Sequence, residues 1–447
     1  MIRPRKVIVI GSGAREHALV RALLRGAVNG EPREVVAIPG NAGIAREVRC
    51  IASGSSAREL CAAALAEKPD LVVVGPEAPL AEGLADLLAE AKVACFGPSA
   101  AAARIEASKA FAKEIMLAAG IPAAAGAVFD DLARARDYAR AQGACVVKLD
   151  GLAAGKGVIV ADGAAQAAAA VDELWAMASP SPSSPGQPPL RLPPRILIEE
   201  RLTGPELSVI GLCDGETVLA LPPARDHKRL SDGDLGPNTG GMGAVSPPRD
   251  APDALVDEVV RTVLIPAARE LARRGTPFRG ALYAGLMLTP RGLRVLEFNC
   301  RLGDPEAQAI LLRLRSDPLP LLFATALGQL AGQTPVYDAR TAVAVVLAAA
   351  GYPAHPRAGD AILGLDALAN NSGRTAGAVE GEGEDLWVLH AGTRAENGRT
   401  VTAGGRVLTV AALGAGPAQA RARAYAAAAQ IRFDGMQLRS DIAAAEV

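Results

Sequence analysis

No stretch of this chain is apolar for long enough to cross a membrane. The run at 7–10 has four residues and the run at 342–351 has ten, against the roughly 20 that a spanning helix needs. Charge of one sign is lacking too: 47 basic and 48 acidic residues are interspersed and leave a net charge of −1. That excludes the basic stripe of a nucleic-acid binder and the like-charge tail of an interaction arm. The six cysteines, at 50, 61, 95, 145, 213 and 300, form no C-x-x-C pair and have no histidine at zinc spacing, so they read as buried thiols in a reducing compartment. There is no internal repeat. No Ser-His-Asp set or nucleophilic cysteine stands out. The expectation is a soluble cytoplasmic protein with neither a membrane nor a nucleic acid as partner. Lysine is scarce as well, eight of the 47 basic residues. Where a chain that prefers arginine keeps lysine, either a compact ammonium has a use that a planar guanidinium does not serve or the choice is accidental.

What is present begins with alternation. Across 7–98 the apolar runs "VIVI", "EVVAI", "DLVVV" and "VACF" are separated by turns and amphipathic segments, the pattern of a parallel α/β layer with helices on both faces. Glycine-bearing turns follow three of the runs: "GSGARE", "PGNAG" and "GPEAPL". Loops at the carboxyl ends of parallel strands line the crevice of such a sheet. The first turn, Gly11-Ser12-Gly13, starts a dinucleotide fingerprint but carries Glu16 where the third glycine belongs. The fingerprint also wants an acidic residue at the end of the second strand, whereas Glu34 precedes that strand.

A helix is predicted from Lys109 through "KAFAKEIMLAAGI", stopped by Gly120 and Pro122. Two β-type runs at 145–148 and 158–160 then flank "DGLAAGKGV". This loop has the glycines of a phosphate loop, but the spacing of Gly151, Gly155 and Lys156 is one residue short of a Walker A, and Gly157 replaces its Ser/Thr. Its logic is that of a glycine-rich hairpin covering a nucleotide, with a strand lysine, Lys148, beside it; a ligand-free glycine hairpin is the alternative. The segment 179–195 is rich in Pro and Ser and reads as a surface loop, with a PxxP docking peptide as the alternative. In "VLEFNCRLGDPEAQ", Glu297 and Asn299 lie two apart on a strand and project together, a pair of oxygen donors suited to a hard cation or a half-buried polar face. Arg301 follows and can grip a carboxylate or phosphate. The polar segment 222–247, with Asp226, His227 and Lys228 in one turn, is a substrate loop or a disordered one. His390 reads as structural.

The stretches "GSGAREHAL", "PGNAGIA", "VVVGPEAPL", "GLAAGKGV", "DHKRLSDGDLGPNTGGMGA", "LEFNCRLGDPEAQ" and "GGRVLTVAALG" together resemble the phosphoribosylamine-glycine ligase family of the ATP-grasp superfamily, over almost the whole chain. The resemblance implies a multidomain α/β and α+β protein. A Rossmann-like parallel α/β domain would occupy residues 1–107. An ATP-grasp domain would occupy 108–333, with a glycine-rich lid subdomain at about 126–200. A small mixed α+β domain would occupy 334–447. It implies ATP-driven joining of glycine to 5-phosphoribosylamine through a glycyl phosphate, in purine biosynthesis, with Mg2+ or Mn2+, by a monomer that can belong to a pathway assembly.

Carried over residue by residue, Lys109 and Lys148 hold the ATP phosphates beneath Gly151, Gly155, Lys156 and Gly157. Glu199, Glu200 and Leu202 read adenine, and Glu206 takes the ribose. Glu297 and Asn299 are metal ligands, Glu306 being a candidate for a second metal. Asp226 and Arg301 meet glycine's ammonium and carboxylate and, with Lys148, form the catalytic set. Gly11, Gly13, Arg15, Asn41 and Glu77 serve phosphoribosylamine. Leu149, Cys300 and Leu302 depart from the family's usual residues only in packing, and "LYAGLMLT" lacks the extra metal carboxylate that many ATP-grasp enzymes carry. Three other readings stay open: another ATP-grasp carboxylate–amine ligase, a dinucleotide-dependent oxidoreductase, and a non-catalytic ATP-binding protein.

Overall fold

The computed structural model describes residues 5–28, 33–152, 157–178, 194–366, 368 and 385–447. The first strands are β1 (Lys6–Gly11), β2 (Glu34–Pro39), β3 (Arg49–Cys50), β4 (Leu71–Val74) and β5 (Ala94–Phe96), all parallel in the order β3-β2-β1-β4-β5. Residues Val7, Ile8, Val9 and Val72 are wholly buried, as strands covered by helices on both faces must be. Those helices include Ala14–Val28 and Ala57–Ala66. The latter starts at a reciprocal capping box between Ser56 and Glu59, which satisfies two backbone donors a helix start leaves unpaired. The strand order reverses direction at β1, so the crevice opens between β1 and β4. The three glycine-bearing turns meet there: Gly40 N donates to Gly11 O at 3.2 Å, Gly75 N to Ile10 O at 3.0 Å, and Asn41 Nδ2 to Ser12 O at 2.8 Å.

Residues 126–200 contain an antiparallel sheet of β6 (Gly126–Phe129), β7 (Cys145–Leu149), β8 (Val158–Ala161) and β9 (Ile196–Glu200), ordered β6-β9-β7-β8. Helices Leu132–Gln142 and Ala164–Ala178 cover it and share a core of their own with Val147, Val171 and Ile198. The glycine-rich loop joins β7 to β8, which pair in register from Cys145↔Ala161 to Lys148↔Val158. The predicted strand–loop–strand is therefore observed. Gly155 and Lys156, and residues 179–193 of the Pro/Ser-rich stretch, lie outside the described residues.

The chain then forms β10 (Glu206–Asp214), β11 (Val218–Ala220), β12 (Arg225–Asp226), β13 (Arg229–Ser231), β14 (Leu235–Asn238) and β15 (Gly243–Ser246), followed by the long hairpin β16 (Arg279–Thr289) and β17 (Gly292–Asn299). The segment 222–247 is thus neither disordered nor a simple turn, because its short strands find partners. β11, β10, β16 and β17 make one antiparallel sheet in that order. The last strands are β18 (Thr341–Ala348), β19 (Leu386–His390), β20 (Thr393–Glu396), β21 (Arg399–Thr402) and β22 (Arg406–Gly414). They receive two strands from earlier in the chain, in a sheet ordered β12-β15-β18-β22-β19. The pairing of β15 with β18 joins segments expected on either side of residue 333.

The apolar stretch at 342–351 falls largely in β18, every residue of which is buried. Among the described residues no helix is long and apolar enough to cross a membrane. The cysteines are free thiols, four of them buried. The expected terminal helix spans Pro417–Ala428, with proline in its first turn where no donor is wasted.

The N-terminal crevice and the C-terminal sheet touch at Gly43, where an added Cβ would fall 2.3 Å from His390 Cγ and 2.6 Å from its Cβ. His390 is buried and cannot yield, since its backbone N–H donates to His17 Nδ1 at 2.8 Å and its Nδ1 lies 3.1 Å from Thr393 Oγ1. Gly43→Ala is expected to destabilise the protein by about 1–3 kcal/mol through overpacking, read as a lower urea midpoint; an unchanged midpoint would show that the two regions are not held together there.

Candidate active site

The helix Lys109–Ala118 starts at Ser108, whose Oγ accepts from Phe111 N at 3.1 Å and donates to Asp150 Oδ1 at 2.9 Å. Asp150, the residue after β7, also accepts from Ala110 N at 3.2 Å and pairs with Arg195 at 2.6 Å. One carboxylate so fastens the helix start to the glycine-rich hairpin. Lys109 Nζ then donates to Gly151 O at 2.9 Å. Burial pulls the Lys109 ammonium below its ordinary range, as does Lys148, against the opposing pull of Glu297.

Lys148 projects from β7 to within 2.6 Å of Glu199 Oε2 and donates to Leu296 O at 2.9 Å. The other oxygen of Glu199 lies 2.7 Å from Lys113 Nζ. Lys113 was not among the expected site residues, although its type, a rare lysine one helical turn after Lys109, was a signal in the sequence. Glu200, next along β9, faces the other way: it accepts from Ala125 N at 3.0 Å and pairs with Arg291 at 2.7 Å. Leu202 is half-buried just beyond the strand, and Gly157 O closes the hairpin by accepting from Leu149 N at 2.8 Å.

Across from these lysines lies an acidic set. Asp226 and Lys228 face the same acidic group, whereas His227, between β12 and β13, faces the C-terminal segment, where its Nε2 accepts from Ala443 N at 3.4 Å. The three therefore do not act as one turn. Lys228 pairs with Glu206 of β10 at 2.7 Å and lies 3.9 Å from Glu297 of β17. Burial alone would lower its pKa, but Glu206, Asp226 and Glu297 together hold it well above the usual lysine range. Asp226 moves the other way. Burial pushes its carboxyl up to about 8; Lys228 opposes this, while Glu306, Glu206 and Glu297 add to it. Glu297 stays below the carboxylate range despite burial, because Lys228, Lys148, Lys109 and Arg301 surround it.

Glu306, a candidate for a second metal, is already engaged: its Oε1 accepts from Tyr283 Oη and from Ser208 Oγ, both at 3.0 Å. Among the described residues no three His, Cys, Asp or Glu side chains converge as a metal cluster. Asn299 shares the face of Glu297, and its Oδ1 accepts from Arg301 Nη2 at 3.3 Å. Arg301 is also 3.4 Å from Glu77 and 3.2 Å from Glu106, and donates to Leu302 O at 3.1 Å. Glu106, from helix Ala100–Ala107, was not foreseen; its other oxygen accepts from Cys300 N at 2.7 Å. Burial would raise the Glu77 carboxyl, but Arg301 and Arg15 hold it below its ordinary range.

Glu16 explains the broken fingerprint. An added Cβ would lie 2.6 Å from Glu16 Cγ at Gly11, 2.6 Å from its Oε2 at Gly13 and 2.0 Å from its Oε1 at Gly75. The three glycines clear a space that the buried Glu16 carboxylate fills, accepting from Gly13 N at 2.5 Å and from Arg15 Nε at 2.7 Å. A pyrophosphate at this turn would meet that carboxylate, which removes the dinucleotide reading. Asn41 is likewise committed: Nδ2 donates to Ser12 O and His390 O at 2.8 Å, and Oδ1 accepts from Gly43 N and Ile44 N at 2.9 Å. Its amide ties loops together and has no donor left over. Arg15 donates through Nη1 to Leu302 O at 3.0 Å and leaves Nη2 without an acceptor among the described residues. Beside this crevice Asp304 pairs with Arg406 of β22 at 3.2 Å and accepts from Gln308 at 2.7 Å.

The chain is similar to known proteins along almost its whole length. Family models of phosphoribosylglycinamide synthetase match in three parts: the N domain at residues 5–106, the ATP-grasp (A) domain at 107–307 and the C domain at 342–445. Phosphoribosylamine–glycine ligase of Streptomyces coelicolor is 48% identical over 98% of this chain and 99% of its own, and that of Synechocystis is 44% identical over the same shares. The crystal structure of the Thermotoga maritima ligase superposes with a TM-score of 0.78 at 32% identity, covering 98% of this chain and 100% of that one. A biotin carboxylase from Campylobacter jejuni, at 14% identity and a TM-score of 0.70, shares the fold over 97% of this chain and 93% of its own. The N-terminal parallel sheet, the hairpin sheet that carries Lys148 and the shared C-terminal sheet are those of one family, and this chain belongs to the phosphoribosylglycinamide synthetase family.

Proposed function

We propose that the protein joins glycine to 5-phosphoribosylamine at the expense of ATP, giving glycinamide ribonucleotide, ADP and phosphate. The observation that carries this reading, beyond family membership, is the division of the site into two charged halves. Lys113 and Lys148 share a single carboxylate, Glu199, and Lys109 reaches the start of the glycine-rich hairpin at Gly151 O. Asp226, Glu206 and Glu297 crowd around one ammonium, Lys228, and Glu306 adds to the negative charge at Asp226. The first half has positive charge to spare for phosphates and the second negative charge to spare for cations.

In this reading Lys109 and Lys148 hold the triphosphate beneath the 150–158 loop, and the backbone beyond β9, at Glu199, Glu200 and Leu202, borders the adenine. The Glu199 side chain is occupied with lysines, so any contribution it makes to base recognition comes from its backbone. Glu206 borders the ribose. Glu297 and Asn299 offer a charged and a neutral oxygen from one strand face, a donor set that fits Mg2+ or Mn2+ with phosphate oxygens completing the shell. Such a cation, when bound, neutralises charge on the transferring phosphoryl group.

Glycine's ammonium fits the acidic half at Asp226 and its carboxylate fits Arg301. Arg301 is held between Glu77, Glu106 and Asn299 and so keeps one orientation. The carboxylate oxygen of glycine attacks the γ-phosphorus and ADP leaves. The amine nitrogen of phosphoribosylamine then attacks the acyl carbon, phosphate leaves and the nitrogen loses a proton. Catalysis of both steps is alignment and charge neutralisation. Phosphoribosylamine is assigned to the crevice of Gly11, Gly13, Arg15, Asn41 and Glu77. There Asn41 shapes the loops, Glu16 occupies the space above Gly11 and Gly13, and the open Nη2 of Arg15 is left for the anion.

ADP release is expected to require glycine and phosphoribosylamine together; ADP formed equally fast without either, or none formed with both and magnesium, would overturn the reading. Glu297→Gln should lower turnover by about 10²-fold or more, since it removes the charged oxygen from the cation's shell, and full activity would take Glu297 out of the site. Asp226 adds a pH signature in the substrate-free protein. Its folded pKa lies above the unfolded one, so the folded state keeps a proton that the unfolded chain has released, and stability falls as pH rises from the carboxylate range towards about 8. Asp226→Asn should therefore gain melting temperature relative to the parent between pH 5 and about 8.5; parallel curves would show that the Asp226 carboxyl titrates normally.

A further inference from the structure

We propose that Lys113 is a positioning residue for nucleotide binding: it offsets the charge of Glu199, so that Glu199 orients Lys148 without neutralising it. The inference rests on the nucleotide site described above and concerns a residue with no part in the chemistry. Lys113 is 5% exposed and Glu199 4%, so the ammonium and the carboxylate are both withdrawn from bulk solvent. Lys113 donates to Ala124 O and lies 2.7 Å from Glu199 Oε1, while Lys148 takes the other oxygen at 2.6 Å. Both oxygens of Glu199 are thereby held by lysines from different elements, the helix Lys109–Ala118 and β7.

A buried lysine facing a buried glutamate alone would form a neutral pair. Such a pair has a defined geometry but little attraction for an anion beyond it. A second lysine on the far oxygen changes the sum to plus one while leaving the geometry in place. Long-range Coulomb attraction depends on that sum, and in a partly desolvated site it is weakly screened. Lys148, fixed by Glu199 and by Leu296 O, can then present an ammonium of undiminished effect to a phosphate. Among the described residues the hydrogen bonds of Lys113 go to Ala124 O and Glu199 and none to the hairpin β7–β8. Its effect is transmitted through Glu199.

The test is binding of ADP with magnesium to the full-length protein, measured by calorimetry. Lys113→Gln removes the charge and keeps a hydrogen-bond donor, and it is expected to weaken ADP binding about tenfold or more. Removing the charge of Glu199 as well returns the sum to plus one, so Lys113→Gln combined with Glu199→Gln should bind ADP within about threefold of the parent. A purely structural role for Lys113 would leave the double variant as weak as Lys113→Gln, and that result overturns the proposal, as does undiminished binding by Lys113→Gln alone. Should Lys113→Gln fail to fold, the comparison of the double variant with the parent decides by itself, a tenfold loss overturning the idea. If the parent protein binds no ADP at all, the nucleotide site fails first, an outcome distinct from either of these.

Discussion

Charge taken out of water has to be answered by opposite charge or by hydrogen bonds, and in this protein that requirement ties the elements around the site to one another. Glu199 of β9 is answered by Lys148 of β7 and by Lys113 of the helix that precedes the hairpin sheet. Lys148 reaches on to the carbonyl of Leu296 in β17. Arg301, just past β17, is answered by Glu77 and Glu106 from the N-terminal region. The same contacts that remove the cost of burial set the positions of the side chains that a phosphate and a carboxylate would meet. The site and the packing of the sheets are one arrangement.

A second consequence concerns the crevice of the parallel sheet. Its glycines have the form of a nucleotide loop, yet the space they clear holds a carboxylate of the chain itself. Glu16 accepts from Gly13 N, the backbone donor that an external anion would otherwise use at a helix start. The crevice is thus closed to a pyrophosphate while the neighbouring Arg15 keeps an open donor.

Much of the site could be read before the fold was seen, where chemistry and spacing are local. Lys148 and the loop after it, Glu297 with Asn299, and Arg301 two residues on are recognisable because strand alternation and short loops put neighbours in sequence beside one another in space. Asp226, His227 and Lys228 look like one cluster, but the histidine faces the C-terminal segment and only the other two share a set of charges. The resemblance implies that Asn41 serves phosphoribosylamine, and the structure spends both ends of its amide on the backbone. Tyr283, Glu106 and Arg406 had no local signal comparable to a motif, and Lys113 only its residue type, because what makes each matter is a partner far away along the chain.

The sequence by itself determined the kind of chemistry. A lysine-poor chain that keeps lysine beside a glycine hairpin, a Glu-x-Asn strand followed by arginine, and three glycine turns on one edge of a parallel sheet all follow from residue type and short-range geometry. Only the tertiary structure decided how those groups balance. It joined β15 to β18 across the expected boundary, set Glu16 over Gly11 and Gly13, and gave Glu199 two lysines in place of one. Net charge at a buried site is a sum over side chains whose separation is set by packing, and no periodicity within one segment reports that sum.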